Sequence, residues 1–104
     1  MITSTQNPKI QWVRTLQNRS RQRRETGVFI VEGTRLAEEA IRAGWEARLV
    51  LHTEDLNQRG MAVVNGYAAR DVQVEQVTDR VMRSASDTKN PQGILIALEI
   101  TSIP

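Results

Sequence analysis

The spacing of apolar and polar positions predicts a helix near the start of the chain. This helix spans residues 7–19, with Asn7 as its N-cap and Pro8 in its first turn. Its apolar positions recur at helical spacing and form one broad face: Ile10, Trp12, Val13 and Leu16. Arg14 falls off this face, and we therefore expect its side chain to reach solvent.

A short apolar run then predicts the first strand. Residues 28–31 are continuously apolar and rich in β-branched side chains, and Gly27 before them permits a turn. Such a run is typical of a strand that is covered on both faces. It predicts that Phe29, Ile30 and Val31 lie in a central strand.

A second helix follows this strand. Gly33 or Thr34 is its predicted cap, and Gly44 stands where a helix commonly stops. Its buried stripe is predicted to consist of four apolar residues: Leu36, Ala37, Ala40 and Ile41. On its other side, Glu38 and Arg42 have the i,i+4 spacing of an ion pair.

The remainder of the chain alternates in the same way. A short helix capped by Thr78 is followed by a loop over residues 87–93. Residues 55–70 have helical spacing that Gly60 and Gly66 weaken. Three further segments are predicted as strands: residues 47–54, 72–77 and 94–100.

The order of these elements predicts the fold class. Strands that alternate with helices indicate an α/β protein in which one sheet lies between helical layers. We therefore expect a single small three-layer α/β/α sandwich with a central four-stranded sheet over residues 1–100. The tail at residues 101–104, Thr-Ser-Ile-Pro, is typical of the start of a linker to a further domain.

Charge is distributed unevenly along the chain. Residues 1–24 hold six of its 14 basic residues and none of its 12 acidic residues. The six are Lys9, Arg14, Arg19, Arg21, Arg23 and Arg24. A concentrated positive patch favours a polyanionic partner such as nucleic acid. The alternative is a solvated basic segment without a partner, predicted as a loop or a frayed helix end whose cations interact with the helix dipole.

No motif for catalysis or metal binding stands out in the sequence. The chain has no cysteine, and its single histidine, His52, ends a predicted strand, so we expect no metal site. No glycine-rich phosphate loop or catalytic group of residues is visible, and we expect neither a catalytic residue nor a cofactor in these 104 residues. Neither a membrane-spanning run of ~20 apolar residues nor a signal peptide is visible, which favours the cytoplasm and no membrane partner.

Among the carboxylates, Glu32 is the candidate for a specific role because of its position in the sequence. It ends the predicted strand beside Gly33, and the arginines lie close to it in sequence. Its carboxylate could pair with an arginine or accept backbone donors at the start of the next helix. We favour such a structural role over ligand binding.

Three motifs occur in an order that resembles a known family. They are Thr-Ser-x-x-Asn-Pro, ending at Asn7 and Pro8; Phe-x-x-Glu-Gly, ending at Glu32 and Gly33; and Ser-Asp-Thr…Pro-Gln-Gly, ending at Pro91, Gln92 and Gly93. Each motif alone is weak, but the ordered set resembles the N-terminal substrate-binding domain of SpoU-type RNA 2′-O-ribose methyltransferases, members of the SPOUT superfamily.

This resemblance implies a fold similar to that of ribosomal proteins that bind kinked RNA. It also implies a following catalytic domain that binds S-adenosylmethionine, methylates a ribose 2′-hydroxyl of rRNA or tRNA and forms a homodimer. The present chain would then dock structured RNA through its arginine-rich segment, with the six cations of residues 1–24 as RNA-binding residues. Arginine suits this role because its planar fork binds phosphate in a bidentate manner.

Two other functions stay open at this point. The chain could be a stand-alone RNA-binding protein of ribosomal type, or a small α/β protein that binds an anionic metabolite. A deep, polar, closed pocket would favour the metabolite. Trp12 could pack in the core, which its helical spacing to Leu16 favours, or stack on an unpaired base.

Overall fold

The computed structural model describes residues 1–100; the predicted linker at residues 101–104 lies outside the described residues. The helices are α1 (Pro8–Asn18), α2 (Ser20–Thr26), α3 (Thr34–Arg42), α4 (Gln58–Ala68) and α5 (Asp79–Ala85). The strands are β1 (Val28–Glu32), β2 (Ala47–His52), β3 (Gln73–Gln76) and β4 (Ile94–Glu99). The predicted alternation of helices and strands is therefore confirmed, with one helix more than expected.

The strands form one mixed sheet in the order β1-β4-β2-β3. Strands β2 and β3 are parallel, whereas β4 is antiparallel to both of its neighbours, β1 and β2. The carboxyl ends of β1, β2 and β3 therefore lie at the same edge as the amino end of β4. We call this the carboxyl edge and define it by four residues that follow or precede the strands: Gly33, Thr53, Val77 and Gly93.

Helices cover both faces of the sheet, which confirms the three-layer α/β/α sandwich. Helices α1 and α5 pack on one face, where Leu16 and Met82 join a core that includes Leu51 and Leu95 of the sheet. Helices α3 and α4 pack on the other face, around the fully buried Tyr67. Because both faces are covered by apolar helix stripes, burial of this surface is the main stabilising contribution.

Strand β4 occupies the interior of the sheet. Its residues Ile94 to Leu98 are all buried, as expected for a strand with neighbours on both sides and helices on both faces. The prediction that Phe29, Ile30 and Val31 lie in a central strand is wrong, since β1 is an edge strand and these residues are only partly buried. Their apolar run reflects helices on both faces and gives no information about a neighbour in the sheet.

The register of β1 leaves alternate backbone groups without a strand partner. The Gly33 N–H donates to the Ile94 carbonyl at 3.1 Å, and the Ile100 N–H donates to the Gly27 carbonyl at 2.7 Å. This register directs the N–H and C=O groups of Phe29 and Val31 to β4 and those of Ile30 away from the sheet. The other edge strand, β3, is partly covered, because the Ile2 N–H donates to the carbonyl of Gln76 at 2.8 Å.

The amino-terminal helix agrees with the predicted range, since Asn7 is its N-cap and Arg19 its C-cap. The side chain of Asn7 accepts a hydrogen bond from the Lys9 N–H at 2.9 Å, and Pro8 occupies the first turn. At Arg19 the backbone becomes extended (φ −128°, ψ 105°), and a second helix, α2, starts at once. The prediction of a loop or frayed end for the arginine-rich segment is therefore wrong. Gly27 ends α2 in the left-handed conformation (φ 68°).

Helix α3 follows β1 with some differences from the prediction. Gly33 is its N-cap, and Ala37 and Ala40 are buried as expected, but the Leu36 side chain is 48 % exposed. The Glu38 carboxylate pairs with Arg59 of α4 instead of Arg42. Glu38 therefore faces α4, and Leu36, about 160° around the helix from it, faces away from α4.

Within residues 1–100, no helix combines the length and the apolar character that crossing a membrane would require.

Candidate functional site

The arginine-rich segment is held to the body of the protein by Arg23. Its guanidinium Nη1 donates to the carbonyl oxygens of Leu16 at 2.6 Å and Gln17 at 3.2 Å. These carbonyls belong to the last turn of α1, where helical hydrogen-bond partners run out. Arg23 therefore satisfies the end of α1 and fixes α2 beside it.

The other arginines of α2 and its cap are more exposed. Arg21 forms an i,i+4 ion pair with Glu25 at 2.9 Å, but its side chain remains 80 % exposed. Among residues 1–100, the Arg24 guanidinium forms a single hydrogen bond, to the Ser20 hydroxyl at 3.5 Å. The Arg19 side chain is exposed and makes no hydrogen bond or ion pair with residues 1–100. These three guanidinium groups are free to meet an anionic ligand.

The two predicted cations of α1 have partners in the fold. Lys9 Nζ donates to Glu75 at 2.7 Å, and this hydrogen bond lowers the pKa of the Glu75 carboxyl. Arg14 is half-buried rather than solvated; its Nη2 donates to the Thr5 carbonyl at 3.3 Å, while its buried Nε has no partner among the described residues. Arg14 therefore reaches solvent only with part of its side chain, which its place off the apolar face allows.

The Trp12 side chain is buried on one side and faces a surface groove on the other. It is partly buried and packs against the core beneath α1. Its remaining surface lines a shallow groove of about 310 Å³ together with Pro8, Lys9, Arg48 and Leu49. The core role is confirmed, and stacking on a base remains a prediction for the exposed side of the ring.

Two motifs that are far apart in sequence meet at the carboxyl edge. Gly33 has φ 92°, and a Cβ atom at this position would lie 2.8 Å from Oε1 of Gln92. Gly93 has φ 86°, and its carbonyl accepts the Thr53 N–H at 3.0 Å. Both glycines adopt a backbone conformation that side chains disfavour. Pro91 completes this group, whereas Asn7 and Pro8 lie apart from it, at the start of α1.

Glu32 lies at the same edge and accepts three donors. Its Oε2 accepts the Asp87 N–H at 2.8 Å and the Gln17 Nε2 at 3.0 Å, while its Oε1 accepts the Ser86 hydroxyl. These partners are neither an arginine nor the start of α3, the two that were expected, and the preference for a structural role over ligand binding stays a prediction. Gln17 was not anticipated because nothing in its local sequence indicates a contact with Glu32 across the fold.

The carboxyl edge also carries an open cavity of about 480 Å³. Arg83 of α5 and Lys89 of the loop lie on its wall, and Asp55 and Asp79 contribute the opposite charge. Lys89 and Asn90, which form part of the cavity wall, are exposed to solvent. The cavity is therefore open and differs from the deep, closed pocket expected of a metabolite-binding protein. The distribution of charge along the sequence does not indicate that Arg83 and Lys89 lie at one cavity, because only the fold brings them together.

The described residues include no group of three or more histidine, cysteine, aspartate or glutamate side chains that could hold a metal ion. His52 lies at the end of β2, where its Nδ1 is 3.0 Å from the Thr53 carbonyl oxygen.

Known proteins of similar sequence and structure are RNA methyltransferases. An uncharacterized tRNA/rRNA methyltransferase of Synechocystis sp. is 29 % identical over 97 residues, which cover 93 % of this chain and 35 % of that protein. An rRNA methyltransferase of Sinorhizobium meliloti superposes with a TM-score of 0.81 at 26 % identity, over 94 % of this chain and 36 % of its own. Its structure has also been solved with AdoMet bound.

A third relative carries the chemistry in its name. The crystal structure of an RNA 2′-O ribose methyltransferase superposes with a TM-score of 0.80 at 30 % identity, covering 95 % of this chain and 37 % of its own. The present chain thus spans little more than a third of the length of these relatives. The family model described as "MRM3-like substrate binding domain" matches residues 7–96. The chain therefore belongs to the family of MRM3-like substrate binding domains.

Proposed function

We propose that this chain is the RNA-recognition domain of an rRNA or tRNA 2′-O-ribose methyltransferase, and that the arginines around α2 dock structured RNA. Its family membership and the names of its relatives support a substrate-binding role. RNA affinity derives largely from phosphate contacts, and a folded RNA is read mainly by shape and backbone. A group of exposed cations on an anchored helix suits this task.

The proposal rests mainly on one observation: the arginines of this segment differ in their structural roles. Arg23 holds α2 against the end of α1, whereas Arg19, Arg21 and Arg24 project from the same short segment. The ion pair of Arg21 with Glu25 is exposed and therefore weak, so a phosphate can replace the carboxylate. Lys9 and Arg14 belong to α1 and already contact Glu75 and the Thr5 carbonyl, so they are proposed only as secondary contacts.

We place catalysis by the parent enzyme outside these 104 residues, because the relatives extend well beyond the matched part. S-Adenosylmethionine is implied for the parent enzyme by the AdoMet-bound relative. A cofactor of this size is usually held in a concave, mostly apolar pocket that buries most of its surface. The open, charged cavity at the carboxyl edge does not fit this description. We therefore assign cofactor binding, methyl transfer and homodimerisation of the parent enzyme to a separate domain.

The proposal is tested by the salt dependence of RNA binding. Fluorescence anisotropy with a labelled stem–loop RNA would compare the wild-type chain with an Arg19→Gln, Arg21→Gln, Arg24→Gln variant. Each lost phosphate contact should reduce the slope of log affinity against log salt by ~0.7, so the triple variant should lose ~2. Arg23 is left intact because its removal would also disturb α2.

A matched variant carries Arg42→Gln, Arg59→Gln and Arg70→Gln, which remove the same charge from the side of the sheet that α3 and α4 cover. This control should retain most of the wild-type slope. Equal losses in both variants would indicate diffuse attraction rather than a binding surface. A wild-type slope in the α2 variant would exclude α2 as the docking element, and absence of any RNA binding by the wild-type chain would refute the proposed function.

A further inference from the structure

We propose that Glu32 is a positioning residue that locks the loop at residues 86–93 and helix α2 into one RNA-binding surface. This inference rests on the proposed function. A carboxylate near a phosphate-binding surface would repel phosphate, so the place of Glu32 beside the loop requires a structural reason. The contacts of Glu32 supply one.

The carboxylate ties the loop to the end of a strand. The Ser86 hydroxyl and the Asp87 N–H, which begin the loop, both donate to Glu32. Loop residues 87–90 are exposed, and no apolar side chain there is buried. These two hydrogen bonds therefore fix the direction in which the loop leaves α5 and where it presents Lys89.

The same carboxylate is connected to α2 through α1. Gln17 Nε2 donates both to Glu32 at 3.0 Å and to the Ala85 carbonyl at 3.2 Å. The carbonyl of Gln17 in turn accepts from Arg23, the residue that holds α2. A continuous path of hydrogen bonds thus links the loop, Glu32, the end of α1 and the arginine segment.

Helix α2 needs such a link because it has no buried residue. The orientation of a helix without an apolar face is set by its ends and its polar contacts. Glu32 ends a strand whose five residues all pair with β4. Its carboxylate therefore has a fixed position to which both the loop and α2 can be held. Loss of its acceptors would leave the RNA-contacting groups present but misplaced relative to one another.

Two substitutions separate geometry from charge. Glu32→Gln removes the negative charge but keeps an oxygen for the Asp87 N–H and Gln17, and its amide can donate to the Ser86 hydroxyl. Glu32→Ala removes both the charge and every acceptor. If Glu32 positions the surface, Glu32→Ala should weaken binding of the stem–loop RNA roughly tenfold, a typical size for coupling between elements. Glu32→Gln should bind as tightly as the wild type or more tightly.

Hydrogen exchange monitored by NMR provides a readout that does not depend on RNA. The Asp87 amide should exchange faster in Glu32→Ala than in the wild type and stay protected in Glu32→Gln. Ser86→Ala removes a single donor and should fall between them, which keeps the test informative if Glu32→Ala folds poorly. Glu39→Ala, at an exposed position of α3, is the control for loss of a carboxylate and should not reduce RNA affinity.

The outcomes distinguish the proposals. Tighter binding by both Glu32→Ala and Glu32→Gln would show that only charge matters and would overturn the positioning role. Unchanged binding in both would overturn it as well. If the wild-type chain binds no RNA, the proposed function fails and the role in RNA binding fails with it, whereas unchanged Asp87 exchange in Glu32→Ala would refute the lock itself.

Discussion

Helices α1 and α2 are adjacent in sequence, are joined at Arg19 and both carry cations, yet they are held in place in different ways. Helix α1 buries Ile10, Val13 and Leu16 against the sheet and α5. Helix α2 buries nothing and depends on Arg23 and on its glycine stop. The difference shows how a basic cluster that is uniform in sequence divides into cations that support the fold and cations that remain available.

The largest expected effect comes from the apolar face of α1. Leu16 is fully buried, so Leu16→Ala should lower the free energy of unfolding by ~2–5 kcal/mol through lost burial and a residual cavity. Urea denaturation followed by circular dichroism measures this loss. Gln11→Ala, on the exposed side of α1, should change it by less than ~0.5 kcal/mol. A loss below ~1 kcal/mol for Leu16→Ala would mean that α1 is not anchored by burial.

The next effect should come from the contact between the two helices. Arg23→Gln removes a charged donor from two helix-end carbonyls, and hydrogen bonds to charged groups contribute ~1.5–3 kcal/mol when well formed. Because Arg23 is half-exposed, we expect a loss of ~1–2 kcal/mol. Amide exchange should accelerate in α2 before it does in α1. Arg24→Gln is the matched control, and equal exchange in both variants would contradict the anchoring role.

A smaller effect is expected for the ion pair at the other end of α1. The lowered pKa of Glu75 in the folded state means that the pair stabilises the protein above the ordinary glutamate pKa of ~4.3. This contribution is lost as the pH falls through the lowered folded value. Lys9→Gln should raise the pKa of Glu75 and cost less than ~1 kcal/mol at neutral pH.

An NMR titration of the Glu75 carboxyl in wild-type and Lys9→Gln protein measures this shift directly. Lys89→Gln, which removes an exposed loop cation, should leave the Glu75 titration unchanged. The same midpoint in all three proteins would show that Lys9 does not set the pKa.

The smallest stability effect should follow removal of the available cations. Arg21→Gln combined with Arg24→Gln breaks one exposed ion pair and one long hydrogen bond, so we expect a change below ~0.5 kcal/mol. The same variant should nevertheless reduce the salt dependence of RNA binding. A stability loss above ~1 kcal/mol would place these arginines with Arg23 among the structural cations and would remove the contrast between the helices.

Local signals along the chain were sufficient for much of the fold. The Asn7 cap and the apolar spacing after it predicted α1, and the unbroken apolar run at residues 94–98 predicted a buried strand. The edge position of β1 could not be predicted, because helices on both faces produce the same apolar run as a central position. Helix α2 could not be predicted from the periodicity of apolar residues, because it has no apolar face.

The candidate site was predictable in composition but not in arrangement. Charge clustering identified the arginines, and the motifs identified Glu32, yet neither indicated that Arg23 caps α1. The contact of Gln17 with Glu32 and the position of Arg83 and Lys89 at one cavity depend on the tertiary fold. Such contacts join residues far apart in sequence and leave no local pattern.

The outward-facing backbone of Ile30 has a consequence for the behaviour of the protein at high concentration. An unpaired strand edge is a template for strand pairing, and β1 contains neither proline nor lysine to discourage it. Two copies that paired along this edge would bring their α2 helices together, and the exposed arginines of the two helices would repel one another. Salt screens this repulsion within ~3 Å at 1 M. We therefore expect the solubility of the chain to fall as ionic strength rises, with the arginines serving as its protection against self-association in dilute buffer.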